Sequence, residues 1–316
     1  REAHETKWCS ALPDSDEEEV SREVGKEWRT ARMGGPFASL SPLCEELLSV
    51  RFGGTPDLHF ELEQRDIFGP LDTGAGLWHA DRVMAQYLVT SRMDARCSSS
   101  DGDGLAERGA ALMLGCGGVP LSGLVANALG WDVTVTDLEP VLELTRANVS
   151  RAGDMIKSSR QKAGFEGEVS VSVQELYFGD DASLKSILDG LGKDQPLMVC
   201  CSDCVWQGFL HEPLLCTIAS ALKHAPSSRA SALFCFQRRS QETEASFFKL
   251  LQRRFSCFDV EHIDISATLA AVDWPPQIQQ QAADLHKLFP LMRFTLKEGA
   301  EVPVMTATDT EKKPWW

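Results

Sequence analysis

The chain has 316 residues, 43% of them hydrophobic and 24% charged, and its 31 Lys and Arg against 46 Asp and Glu leave a net charge of −15. This suits a soluble globular chain, either one large domain with an extension or two small domains, and the negative charge argues against general nucleic-acid binding, which runs on neutralising phosphates. No apolar run approaches the roughly 18 residues a membrane span needs, and the opening Arg1-Glu2-Ala3-His4 lacks a signal-peptide core, so neither a membrane nor a nucleic acid is an expected partner.

Residues 1–55 read as an acidic extension. Asp14-Ser15-Asp16-Glu17-Glu18-Glu19 is a charge run, Gly34-Gly35-Pro36 and Gly53-Gly54-Thr55-Pro56 are breakers, and short helices are predicted near 17–32 and 42–50. A globular domain is expected over 56–300, followed by a tail over 301–316. Its first strand is Asp57-Leu58-His59-Phe60-Glu61-Leu62-Glu63, which alternates polar and apolar. A Gly-rich turn at 72–76 leads into a helix on which Leu77, Ala80, Met84, Tyr87 and Leu88 recur at helical spacing, and 91–109 reads as a surface loop. Apolar strands are predicted at 110–114, 132–136, 169–173, 197–202 and 230–236, with helices at about 120–129, 139–151, 181–190, 208–224 and 240–253. Such alternation implies βαβ units and a mostly parallel sheet covered on both faces. Strands near 257–265 and 290–296, with a helix at 276–288 between them, are compatible with an antiparallel edge.

Of the ten cysteines, Cys116, Cys200, Cys201, Cys216, Cys235 and Cys257 lie in or beside apolar stretches, where a free thiol acts as a small buried hydrophobe. No disulfide-scaffold spacing is visible, so an intracellular protein of the cytoplasm or nucleus is expected. Cys201 and Cys204 form a CxxC, but no second CxxC or paired His completes the four ligands of a zinc site, and no metal is expected.

The strongest local signal is Ala111-Leu112-Met113-Leu114-Gly115-Cys116-Gly117-Gly118-Val119-Pro120-Leu121-Ser122-Gly123, an apolar strand running through glycines into a helix. Glycines let backbone turn sharply and approach a ligand closely, and a helix N-terminus favours a carboxylate or other anion; a purely structural turn would look the same. Twenty-two residues after Gly115, Asp137 closes Asp132-Val133-Thr134-Val135-Thr136, placed to accept the two hydroxyls of a ribose or to cap the helix starting near Glu139-Pro140. Both elements fit NAD or S-adenosylmethionine. Pro120 stands where the third glycine of G-x-G-x-x-G belongs, so the shape is closer to the G-x-G of methyltransferases.

With these motifs in place, residues 57–265 resemble the seven-β-strand protein-lysine methyltransferases that carry a D-x-x-Y motif. Thr73-Gly74-Ala75-Gly76-Leu77-Trp78 is like that family's T-G-x-x-x-W, and the glycine loop follows. Val133-Thr134-Val135-Thr136-Asp137-Leu138-Glu139-Pro140-Val141-Leu142 with Arg146-Ala147-Asn148-Val149 is close to its usual wording. Glu175-Leu176-Tyr177-Phe178-Gly179 stands for E-L-x-W-G, and Cys200-Cys201-Ser202-Asp203-Cys204-Val205-Trp206 for G-A-D-x-x-Y. The resemblance implies an α/β, Rossmann-like class I methyltransferase fold with a mostly parallel seven-stranded sheet and helices on both faces. It implies S-adenosylmethionine as cofactor, with Trp78 and Phe178 against it, Gly115 and Gly117 at its methionine end, Asp137 at its ribose and Ser202 lining the pocket. Asp203 and Trp206 would be the catalytic pair framing the channel for a substrate lysine, and the partner would be a protein with an accessible lysine, met by a monomer. Met113 stands where the family has a glutamate, Trp206 replaces its tyrosine, Phe178 its tryptophan, and the glycine loop is one residue longer. Met113 and Trp206 favour a weak or inactive binding module as the alternative, alongside transfer to another amine or small molecule. Asp203 as a cap for the helix near Gly208, and Trp78 and Trp206 as packing aromatics, are the structural alternatives.

Overall fold

The computed structural model describes residues 47–53, 57–65, 72–97, 109–165, 171–191, 195–224, 229–274, 278, 285–303 and 305. The helix predicted near 17–32 lies outside them. A hairpin opens the described chain: β1 (Leu47–Phe52) pairs antiparallel with β2 (Leu58–Glu63), Leu47 opposite Glu63. The helix predicted near 42–50 is therefore corrected to a strand over 47–50, its earlier part lying outside the described residues. Leu48, Val50 and Phe52 are buried while Leu47, Ser49 and Arg51 are exposed, a period of two that only pairing with β2 reveals. This pairing crosses the boundary expected near residue 55.

Five parallel strands follow, each trailed by a helix: β3 (Ala110–Leu114), β4 (Asp132–Asp137), β5 (Val171–Glu175), β6 (Leu197–Ser202) and β7 (Ala230–Cys235). The helices are α1 (His79–Cys97), which precedes β3, then α2 (Leu121–Ala128), α3 (Glu139–Lys162), α4 (Asp181–Leu191), α5 (Gly208–His224) and α6 (Gln241–Arg254). The tail adds β8 (Phe258–Ile263), the short helices α7 (Ser266–Ala271) and α8 (Leu285–Leu288), and β9 (Leu291–Leu296). The strand order is β5-β4-β3-β6-β7-β9-β8, and β9 is antiparallel to both β7 and β8. The fold is the expected α/β arrangement with a mostly parallel seven-stranded sheet and an antiparallel edge.

Parallel strands covered on both faces read as continuous apolar runs because every residue is buried. In β3, Ala111 and Met113 join the core beneath α1 and α2, while Ala110, Leu112 and Leu114 join the opposite core beneath α4, α5 and α6. β6 divides likewise, Met198 and Cys200 to one side and Leu197, Val199 and Cys201 to the other. Two helices outrun their predicted ends. α1 continues to Cys97, where a loop is expected from 91, with Thr90 and Ser91 returning their hydroxyls to the carbonyls of Gln86 and Tyr87. α3 runs on to Lys162, well past the expected end at 151.

The consequence for function lies in the strand order. The chain moves outward from β3 through β4 to β5, then returns to lay β6 and β7 on the other side of β3. A crevice opens at the carboxyl ends of β3 and β6, where such a reversal places ligands in doubly wound sheets.

Candidate active site

The glycine loop leaves β3 at that crevice. Gly115 and Gly117 have φ of 59° and 68°, the left-handed region that costs other residues strain. Space forbids a side chain as well: a Cβ on Gly115 would stand 2.9 Å from the Sγ of Cys204 and 3.2 Å from the ring of Phe178. Phe178, in the turn after β5, and Cys204, in the turn after β6, thus close on the first glycine. The turn at Asp72–Ala75 braces the loop from outside, with Gly118 N–H donating to the carbonyl of Gly74 at 2.6 Å.

Asp137, at the tip of β4, holds the loop from beside it. Its Oδ2 accepts the Gly117 N–H at 2.8 Å and its Oδ1 the N–H of Leu138 at 2.8 Å. It does not cap α3, whose N-cap residue is Leu138 and makes no side-chain cap bond. Two side chains of α3 complete the brace. Thr145 donates to the carbonyl of Gly117 at 3.0 Å, and Asn148 to that of Gly118 at 2.8 Å. Asn148 also donates to the Glu63 carbonyl and accepts the Glu63 N–H, each at 2.7 Å, so it ends β2 as a neighbouring strand would.

Across the crevice, the hydroxyl of Ser202 at the end of β6 donates to Oδ1 of Asp81 at 2.9 Å, while Oδ2 of Asp81 accepts the N–H of Ser122 at the start of α2 at 3.2 Å. Asp203 follows in the left-handed region, φ 62°. Its N–H donates to Cys235 O at 2.8 Å, and its Oδ1 accepts the N–H of Gln237 at 3.1 Å. Both its oxygens are gripped by Arg239, at 2.7 and 2.5 Å. The Arg239 guanidinium in turn lies 4.7 Å from the centroid of the Trp78 ring. Asp203 is thereby tied to the segment after β7 rather than capping α5. Trp206 sits half-buried in the turn into α5.

The sequence profile of the lysine methyltransferase family matches residues 60–254, well over half of the chain. The chain belongs to this family. A zebrafish (Danio rerio) protein N-lysine methyltransferase, METTL21A, is 35% identical over 114 residues, 36% of this chain and 42% of that protein, so the match spans less than half the length of this relative. Among solved structures, an S-adenosylmethionine-dependent methyltransferase from Agrobacterium tumefaciens superposes with a TM-score of 0.39 at 12% identity, covering 81% of this chain and 71% of that one. The N-terminal domain of human METTL16 gives a TM-score of 0.39 at 9% identity over 68% of this chain and 70% of that one.

In this lysine methyltransferase-family chain, Gly115, Gly117, Asp137, Phe178 and Ser202 all lie at or just beyond the carboxyl ends of β3, β4, β5 and β6, while Trp78 and Asp203 meet on a single guanidinium. Burial pushes the carboxyls of Asp81 and Asp137 above the usual range, against the hydrogen bonds each accepts. The thiol of Cys116, in the loop between them, is driven well up by burial and then by both carboxylates. His79, beside Trp78, is held neutral: burial first, then Arg82 and Arg239, lower it to about 3. Sequence reading missed Asp81, Thr145, Asn148 and Arg239. Asp81 had a visible signal, since it falls at i+4 from Leu77 on the apolar stripe shared with Met84 and Leu88. Arg239 had none; in Gln237-Arg238-Arg239-Ser240 it reads as solvated surface.

Proposed function

We propose that this chain binds S-adenosylmethionine in the β3/β6 crevice and methylates a lysine side chain of another protein. The observation that carries this reading is the glycine loop braced by Asp137 at the switch point of the sheet, in a chain of the lysine methyltransferase family. The residues fit the cofactor: the left-handed glycines let the loop turn tightly against Phe178, Cys204 and Gly74, and Asp137 stands at the adjacent strand tip, where a ribose acceptor belongs.

When bound, S-adenosylmethionine would supply a methyl group on a cationic sulfur, the C–S bond breaking with its electron pair left on sulfur as the new N–C bond forms. Such a transfer asks little of acid–base groups beyond a neutral amine, so positioning and exclusion of water carry the rate. In this reading Trp78 and Phe178 wall the cofactor, and Trp206 flanks the lysine channel. Arg239 already covers the Trp78 ring at 4.7 Å, a contact worth about 0.5–2 kcal/mol that holds the ring in place. The positive charge that helps keep His79 neutral acts in the same sense on an arriving lysine, favouring its free-base form. Asp203 fixes this arrangement through Arg239.

The test is incubation with radiolabelled S-adenosylmethionine and a cell lysate, with methyl-lysine identified by mass spectrometry. Label transferred by the wild type and absent with Asp137→Ala is expected. Tight S-adenosylhomocysteine binding with no transfer to any lysate protein would favour the binding-module reading instead.

A further inference from the structure

Asp81 does a job that neither the glycine loop nor strand β3 can do. It projects from α1 to the point where the sheet changes direction, one carboxylate oxygen on Ser202 at the end of β6 and the other on Ser122 at the start of α2. It is 5% exposed, and among the described residues its partners are neutral donors, with no ion pair. A buried carboxylate without a counter-charge is costly, and apolar residues occupy the same stripe of α1 at Met84 and Leu88. The side chains its field reaches, Cys116, Cys200 and Cys235, are uncharged thiols. Elsewhere on this side of the crevice charge is missing or set apart. Met113, the nearest outlet of β3, is apolar and packed in the core, and Asp137 stands at the tip of β4, beyond the glycine loop from Ser202.

We propose that Asp81 is the positioning carboxylate for the α-ammonium group of S-adenosylmethionine, the ligand completing an ion pair that the protein leaves half made. The proposal rests on the cofactor reading above and goes beyond it by naming the residue that recognises the amino-acid end. Asp81 acts both by its charge and by fixing Ser122 and Ser202 at the two lips of the crevice.

Two ligands separate these ideas in titration calorimetry: S-adenosylhomocysteine, which carries the ammonium, and 5′-methylthioadenosine, which lacks the whole amino-acid end. Asp81→Asn keeps the shape and removes the charge; Asp81→Ser serves as a second variant should the first fail to fold. The expected result is a loss of at least tenfold for S-adenosylhomocysteine, with 5′-methylthioadenosine unchanged within about twofold and a melting temperature no lower than wild type. An equal loss for both ligands marks Asp81 as a structural tie only, and no loss for either removes it from recognition; each overturns the proposal. Wild-type protein that binds neither ligand overturns the cofactor reading itself, and this proposal with it.

Discussion

Asp137 and Asp203 show how a carboxylate's role follows from what already holds it. Asp137 spends its oxygens on the backbone N–H groups of Gly117 and Leu138, so Asp137→Ala would release the second glycine of the loop and remove the proposed ribose acceptor together. With charge-assisted bonds worth about 1.5–3 kcal/mol each, S-adenosylhomocysteine affinity should fall at least tenfold. The melting temperature should change little, because removing a carboxylate that burial disfavours offsets the lost bonds. A folded variant with wild-type affinity in calorimetry would remove Asp137 from the site. Asp203 is different, since its charge is matched by Arg239. Asp203→Asn keeps a side chain that tolerates the left-handed backbone but leaves the guanidinium alone. Because the Arg239 side chain is 29% exposed, the cost in urea denaturation should be moderate, about 1–3 kcal/mol. Arg239→Gln added to it should recover part of that loss; strict additivity in the double-mutant cycle would mean that the pair contributes nothing.

Helix α3 is more than a cover for the sheet. Asn148 serves three backbone groups on two separate segments, the N–H and carbonyl of Glu63 and the carbonyl of Gly118. Asn148→Ala would strand these groups in a buried setting, at about 2–4 kcal/mol in all. It should speed amide exchange at Glu63 and in the glycine loop together, as hydrogen–deuterium exchange can follow; faster exchange in only one segment would show that they are not coupled. How readable each element was depends on where its instructions lie. The strands Ala110–Leu114 and Leu197–Ser202 were legible because burial on both faces writes an unbroken apolar run. The strand Leu47–Phe52 was not, since Glu45-Glu46-Leu47-Leu48 favours a helix locally and only the partner strand overrules it.

Across the whole molecule, opposing titrations gather around α1. His79 is lowered to about 3, so as pH falls below the ordinary histidine range the unfolded chain takes up a proton that the native chain refuses. Its contribution to stability is present at neutral pH and is lost between about 6.5 and 3. The raised carboxyls of Asp81 and Asp137 act oppositely, costing stability as pH rises above the ordinary carboxylate range. Denaturation midpoints measured from pH 7 down to 4 should therefore fall less steeply for His79→Gln than for the wild type; parallel curves would mean that His79 titrates alike in both states. The candidate site was legible to the same local extent as the fold. Gly115, Gly117 and Asp137 belong to one strand–loop–strand stretch, whereas Ser202 meets Asp81 across 121 positions of sequence and Asp203 meets Arg239 from the far side of β7, separations that no periodicity records. The Asp81 bridge also dictates how a ligand can come and go. By joining α2 to the end of β6 it ties the two lips of the crevice together, so a bound cofactor would have no exit by parting them. If the chain turns over as proposed, spent cofactor would leave past the turns bearing Phe178 and Trp206, and that opening rather than the chemistry would set the rate.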